Sequence, residues 1–154
     1  MRPHPGEPVR RAVPHREPML LVDRLEELVP GRRGRGARQV SGADAHREGA
    51  EEGDWEGDAA AQGFPVTLLA DALGQVAIAV LAGGGTPGVW YLATLEGFEV
   101  GSPALPGDEL ILEAEVGRSF RGSHRVEVRA SVEGRTVVSG TMVLVDGEGK
   151  EEPR

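Results

Sequence analysis

Residues 67–82 read TLLADALGQVAIAVLA, and this stretch decides the fold. Leucine and alanine dominate it, and apolar residues fall on nearly every face of a 3.6-residue period. A helix that is apolar all round has to be buried. Gly83-Gly84-Gly85 follows, and glycine readily takes the left-handed conformation that closes helices. The pattern predicts one central helix over residues 66–82.

Downstream the period changes to two. Leu110, Leu112, Ala114 and Val116 alternate with Ile111, Glu113 and Glu115. Val126, Val128, Ala130 and Val132 alternate with Arg125, Glu127, Arg129 and Ser131. Alternation of this kind marks half-buried strands. Glu133-Gly134 links the second of these to a run over Thr136–Val145, as a tight antiparallel hairpin would. Pro106-Gly107-Asp108 is a further turn, entered from a strand around Trp90–Val100. Upstream, Met19–Leu28 and Arg35–Ser41 read as two weaker strands about the turn Pro30-Gly31. A buried helix between a strand pair and an antiparallel meander is an α+β plan, with the sheet wrapped around the helix.

The composition fits one domain over residues 1–154, ordered over about 13–145 with irregular ends. A net charge of −8 argues against a nucleic-acid partner. The chain has no cysteine, so no disulfide framework, cysteine–zinc site or cysteine nucleophile is available. No apolar run is long enough for a membrane span. The opening MRPHPGEPVRRAVPH lacks the apolar core of a signal peptide. A cytoplasmic location is the expectation.

Asp71 interrupts the apolar helix. An ionised carboxylate is costly in such surroundings. Burial should raise its pKa and keep a proton ready for donation. Gln75 lies four residues on, on the same face, and is a candidate catalytic residue beside it. The plain alternative is a surface Asp71–Gln75 hydrogen-bonded pair. Residues 42–62, GADAHREGAEEGDWEGDAAAQ, have no period and many acids. A long aperiodic segment of this kind is either a mobile insertion or a flap over a site, with Trp55 as its one large apolar anchor. Of the four histidines, His4 lies in the terminal stretch and His124 opens a strand. His15 precedes the first apolar run as a structural residue, and His46 sits in the acidic loop. No two have zinc-ligand spacing, so neither a metal nor a cofactor is expected. No G-x-S-x-G elbow or phosphate-binding glycine loop occurs.

Three segments carry a resemblance. VPHREPMLLVDRLEEL (13–28) is similar to "LPHRxPxLLVDRV", and PVTLLADALGQVA (65–77) to "PGVLxxEAMAQ". YLATLEGFEVGSPALPGDELILEAEV (91–116) is similar to "FLAGIDxxRFxxPVxPGDxLxLEVEL". Together and in order they resemble the 3-hydroxyacyl-[acyl-carrier-protein] dehydratases of fatty acid synthesis. The resemblance implies a hotdog fold, an antiparallel sheet around one long helix, and a homodimer or a larger dimer-based assembly. It implies a substrate carried as an acyl thioester on a carrier protein or on CoA. It also implies a catalytic pair from opposite subunits: a histidine in a "GHFPG" loop and a glutamate on the helix.

Asp71 stands at the glutamate position, one methylene shorter. No histidine stands at the loop position. Counting back from Pro65 reaches Gly57 or Asp58, and counting forward from Val40-Ser41 reaches Ala50. His46 and Asp58 are the candidates for the missing base. Pro65, Val66 and Leu68 line the helix start, where the family binds substrate, and Val66 replaces the family glycine. Two readings stand. One is a dehydratase-like lyase of weak or altered activity, or a hotdog thioesterase. The other is a non-catalytic acyl-binding or partner subunit.

Overall fold

A computed structural model describes residues 10, 11, 13, 15, 16, 19–45, 63–83 and 88–147. Among these residues six strands form one antiparallel sheet: β1 (Arg24–Val29), β2 (Arg33–Gln39), β3 (Trp90–Val100), β4 (Glu109–Phe120), β5 (Ser123–Val132) and β6 (Arg135–Asp146). Their order is β1-β2-β4-β5-β6-β3. A short helix α1 (Gly42–Ala45) follows β2, and the long helix α2 (Val66–Ala82) packs chiefly on β2 and β4. The sheet wraps around α2, so the chain has the hotdog fold.

The local chemistry explains the elements. Glu133 and Gly134 both take positive φ, 48° and 83°, the geometry of a two-residue hairpin turn between β5 and β6. Gly83 ends α2 in the left-handed region, its N–H on the Val80 carbonyl. The same carbonyl accepts the Gly31 N–H from the β1–β2 turn, which ties the strand pair to the helix end. In β2 arginine alternates with glycine. A Cβ at Gly34 would lie 2.6 Å from Val80 Cγ2, and one at Gly36 would lie 3.2 Å from Val76 Cγ2. These two glycines are what let α2 lie close against β2. The inward residues of the meander, among them Leu110, Leu112, Val126, Ala130, Met142 and Leu144, complete the core with Leu69, Leu73 and Val76 of α2.

The first strand is shorter than its pattern predicts. Residues 19–23 precede β1, although Leu20, Leu21 and Val22 are buried as a strand would bury them. The reason is a competing partner. The Leu21 N–H and the Met19 carbonyl bond to the Gln75 side chain on α2, so this stretch is fastened to the helix.

Candidate functional site

The helix α2 begins at Pro65, whose φ of −59° suits the entry to a helix and whose ring supplies no side-chain cap. The Pro65 carbonyl accepts the Leu69 N–H at 3.0 Å. The first-turn N–H groups and the positive end of the helix dipole gather here. Val66 is exposed, while Leu68 is partly buried and packs against the core.

Asp71 lies in the second turn. Its side chain is 37% exposed, so it sits at the margin of the core. Burial raises its pKa above the ordinary carboxyl value, and the nearby His15 imidazole opposes that rise. His15 Nε2 stands 3.9 Å from Asp71 Oδ1. The other ring nitrogen, Nδ1, is buried and has no hydrogen-bond partner among the described residues. The ring is carried on a tight turn. Arg16 donates to the Val13 and His15 carbonyls, and its own carbonyl accepts the Met19 and Leu20 N–H groups.

Gln75 shares the helix with Asp71 but has another task. It is 1% exposed. Its Oε1 accepts the Leu21 N–H at 2.9 Å, and its Nε2 donates to the Met19 carbonyl at 2.7 Å. Both ends of the amide are therefore committed to backbone. The plain alternative of a surface Asp71–Gln75 pair does not describe this geometry.

The structure brings one unforeseen residue to the site. His15 reads as structural in the sequence, and it lies far upstream of Asp71. The available signal is its place in Pro14-His15-Arg16, at the start of the first family-like segment. The stretch that follows His15 is held to the same helix by Gln75, a contact no local pattern reveals. His46 and Asp58, with Trp55, lie outside the described residues. One side chain meets residues on either side of these positions in the sequence, Asp44 before them and Phe64 after them. Arg38 bonds Asp44 Oδ1 at 2.7 Å, and its guanidinium stands 5.8 Å from the Phe64 ring centre. His124 is elsewhere, on β5, with Nδ1 2.7 Å from Ser119 Oγ and its ring against Trp90.

A groove of about 470 Å³ opens on the outer face of the sheet, lined among others by Glu27, Arg33, Arg35, Glu113, Glu127 and Arg129. Its lining does not include Asp71 or the helix start. Its charges pair with one another, Arg33 with Glu27 at 2.9 Å and Arg129 with Glu113 at 3.7 Å, as a solvated surface does. Among the described residues no cluster of three or more potential metal ligands occurs. No helix among them is long and apolar enough to cross a membrane.

A single carboxyl group at the margin of the central helix, inside a hotdog sheet, defines the class: a hotdog protein with a helix-borne acid. No model of a known protein family matches the chain. Individual relatives do. The chain is 35% identical over 140 residues to the 3-hydroxyacyl-[acyl-carrier-protein] dehydratase FabZ of Thermus thermophilus, covering 89% of this chain and 93% of the relative. It is 35% identical over 137 residues to the FabZ of Ruminiclostridium cellulolyticum, covering 86% and 89%. Among solved structures, the dehydratase heterocomplex ApeI:P from Xenorhabdus doucetiae superposes with a TM-score of 0.69 at 17% identity, over 90% of each chain. The chain belongs to the 3-hydroxyacyl-[acyl-carrier-protein] dehydratase FabZ family.

Proposed function

We propose that the protein is a cytoplasmic dehydratase-like lyase acting on 3-hydroxyacyl thioesters, with the acyl chain carried on a carrier protein or on CoA. The observation that carries this reading is the Asp71 carboxyl: it stands on the central helix of a FabZ-family chain, with burial favouring its protonated form. In dehydration the C2–H and C3–O bonds break, a C2=C3 double bond forms, and water leaves. Asp71 gives its proton to the departing hydroxyl. A base takes the C2 proton, and His46 or Asp58 of the acidic segment is its candidate. The N–H groups at the start of α2 polarise the thioester carbonyl, with Pro65, Val66 and Leu68 beside it. With no histidine at the family's loop position, turnover should fall about two to four orders of magnitude below that of a histidine-bearing relative.

The working unit on this reading is at least a dimer. Strand β3 ends the sheet, pairing with β6 alone among the described strands. It carries exposed Leu92, Leu95 and Val100. An unpaired edge with apolar side chains favours a second copy alongside it.

The test is enoyl formation by the purified protein from 3-hydroxyacyl-carrier-protein and from 3-hydroxyacyl-CoA. Asp71→Asn should remove most of the turnover while the circular dichroism melt stays cooperative. An Asp71→Asn protein as active as the wild type would end this assignment. The missing loop histidine favours a second reading, a non-catalytic acyl-binding or partner subunit. In that case no turnover is seen, and Asp71→Asn leaves acyl affinity unchanged.

A further inference from the structure

We propose that His15 and Asp71 form a same-chain proton-sharing pair, in which His15 is a positioning residue that sets the charge of the Asp71 carboxyl and returns its proton after use. The proposal rests on the reading of Asp71 as a proton donor and adds a residue that the family's loop-and-helix pair does not contain.

Three observations carry it. The first is distance: His15 Nε2 and Asp71 Oδ1 are 3.9 Å apart, at the outer edge of ion-pair range and too long for a hydrogen bond. Catalytic contacts are often this long before substrate tightens them. The second is ring orientation. Nε2 is the nitrogen that faces Asp71, while Nδ1 is buried and lacks a partner among the described residues. The third is access. Both side chains keep part of their surface open, 27% for His15 and 37% for Asp71, so the pair can exchange protons with water and still be shielded on one side.

The anchoring makes the pair a built feature of the fold. His15 precedes the stretch that Gln75 pins to α2, one turn from Asp71 on the same helix. Gln75 therefore fixes the approach of the His15 turn to the helix that bears Asp71. The nearest other cation in sequence, Arg16, is turned to the Val13 and His15 carbonyls. The residues that the sheet turns toward α2, such as Ala37, Leu112, Ala114, Val126 and Met142, are apolar, as is Val22 ahead of β1. The Asp71 carboxyl thus answers to burial and to His15.

The proton step balances. Asp71 gives its proton to the leaving hydroxyl and becomes a carboxylate. A His15 imidazolium passes its Nε2 proton to Asp71 Oδ1 and becomes neutral imidazole. His15 then regains a proton from water at its open side.

The experiment follows the Asp71 carboxyl carbon by NMR across pH in the wild type and in His15→Gln, with Asp71→Asn to assign the signal. His15→Gln should move the Asp71 midpoint upward, since a nearby cation that favours the carboxylate is gone. In the wild type the Asp71 signal should also register the titration of the His15 ring, a readout that needs no variant. Turnover of 3-hydroxyacyl-CoA by His15→Gln should fall at least about tenfold in kcat with little change in KM, and free imidazole should restore part of it. An Asp71 carboxyl blind to the His15 titration, or an unmoved midpoint in a folded His15→Gln protein, overturns the proposal whatever the activity. A moved midpoint with wild-type turnover overturns the proton-return role. Coupled titration in a wild type that turns over no 3-hydroxyacyl thioester leaves the pair standing and removes the dehydratase reading.

Discussion

Two aspartates, Asp44 at the base of the acidic segment and Asp71 on the central helix, separate burial from perturbation. The Asp44 side chain is only 4% exposed. Burial pushes its pKa up, but the Ser41 N–H at 2.8 Å, the Arg38 guanidinium at 2.7 Å and the Ser41 hydroxyl outweigh it, and the net pKa is lowered. Asp71 is far more open, yet its pKa is raised. Among the described residues it has no hydrogen bond to offset burial, and His15 at 3.9 Å compensates only in part. The carboxyl with the smaller exposed surface is the more comfortable anion. What differs is satisfaction, since a buried charge is tolerable when paired and hydrogen-bonded and costly when bare. Asp44 belongs to the scaffold, and Asp71 is left poised to change protonation state.

The comparison can be broken most forcefully at Arg38. Arg38→Met removes the cation from Asp44 and should convert it to a group like Asp71, with a raised pKa. Leaving that charge buried and unpaired should cost about 3–5 kcal/mol of stability. A urea titration measures the loss, and a change below about 1 kcal/mol would show that Asp44 is satisfied without its arginine.

A smaller effect is expected on the helix. Gln75→Leu keeps the volume roughly but leaves the buried Leu21 N–H and the Met19 carbonyl without the side chain that pairs them. The loss should be about 1–3 kcal/mol. If Gln75 sets the approach of the His15 turn, amide exchange over residues 19–22 should quicken in the same variant. Unaltered exchange there would mean that core packing of Leu21 and Val22 suffices.

The smallest effect concerns pH. A carboxyl whose folded pKa is lowered contributes stability that is present above its unfolded value and lost as pH falls through the folded one. Asp44 is of this kind. A carboxyl whose folded pKa is raised adds a penalty that grows as pH climbs from the unfolded value through the folded one. Asp71 is of this kind. Asp71→Asn should therefore raise Tm slightly at neutral pH, and the gain should shrink toward pH 3 as wild-type Asp71 becomes neutral. Solvent screening at this part-exposed site keeps the effect small. A wild type that outlasts Asp71→Asn at neutral pH would mean that the His15 interaction more than offsets burial.

Much of the architecture is legible in the chain itself. The period of two over 110–116 and 126–132 and the glycine turns at 107 and 134 report on neighbours a few residues away. Local sterics and alternation decide such features wherever the chain lies. The all-round apolar run over 67–82 dictates a buried helix, and Asp71 stands out within it because its chemistry contradicts its surroundings. The stretch 19–23 has the apolar pattern of a strand but precedes β1: the Met19 carbonyl and the Leu21 N–H pair with Gln75 on α2, and backbone pairing with β2 begins only at Asp23, whose N–H bonds the Ala37 carbonyl.

What the sequence alone determined, then, is the set of elements, the turns that separate them, and the anomaly of one carboxyl in an apolar helix. The tertiary structure decided who meets whom. Gln75 reaches back to residues 19 and 21, His15 comes to rest 3.9 Å from Asp71, and Arg38 takes Asp44 on one side and Phe64 on the other. These contacts join segments distant in the chain, and their geometry follows from how the helix seats on the glycine-bearing strand β2. A periodic pattern states which face of an element is buried; only the packed fold fixes which remote side chain stands opposite it, and it is that neighbour which sets a carboxyl group's charge.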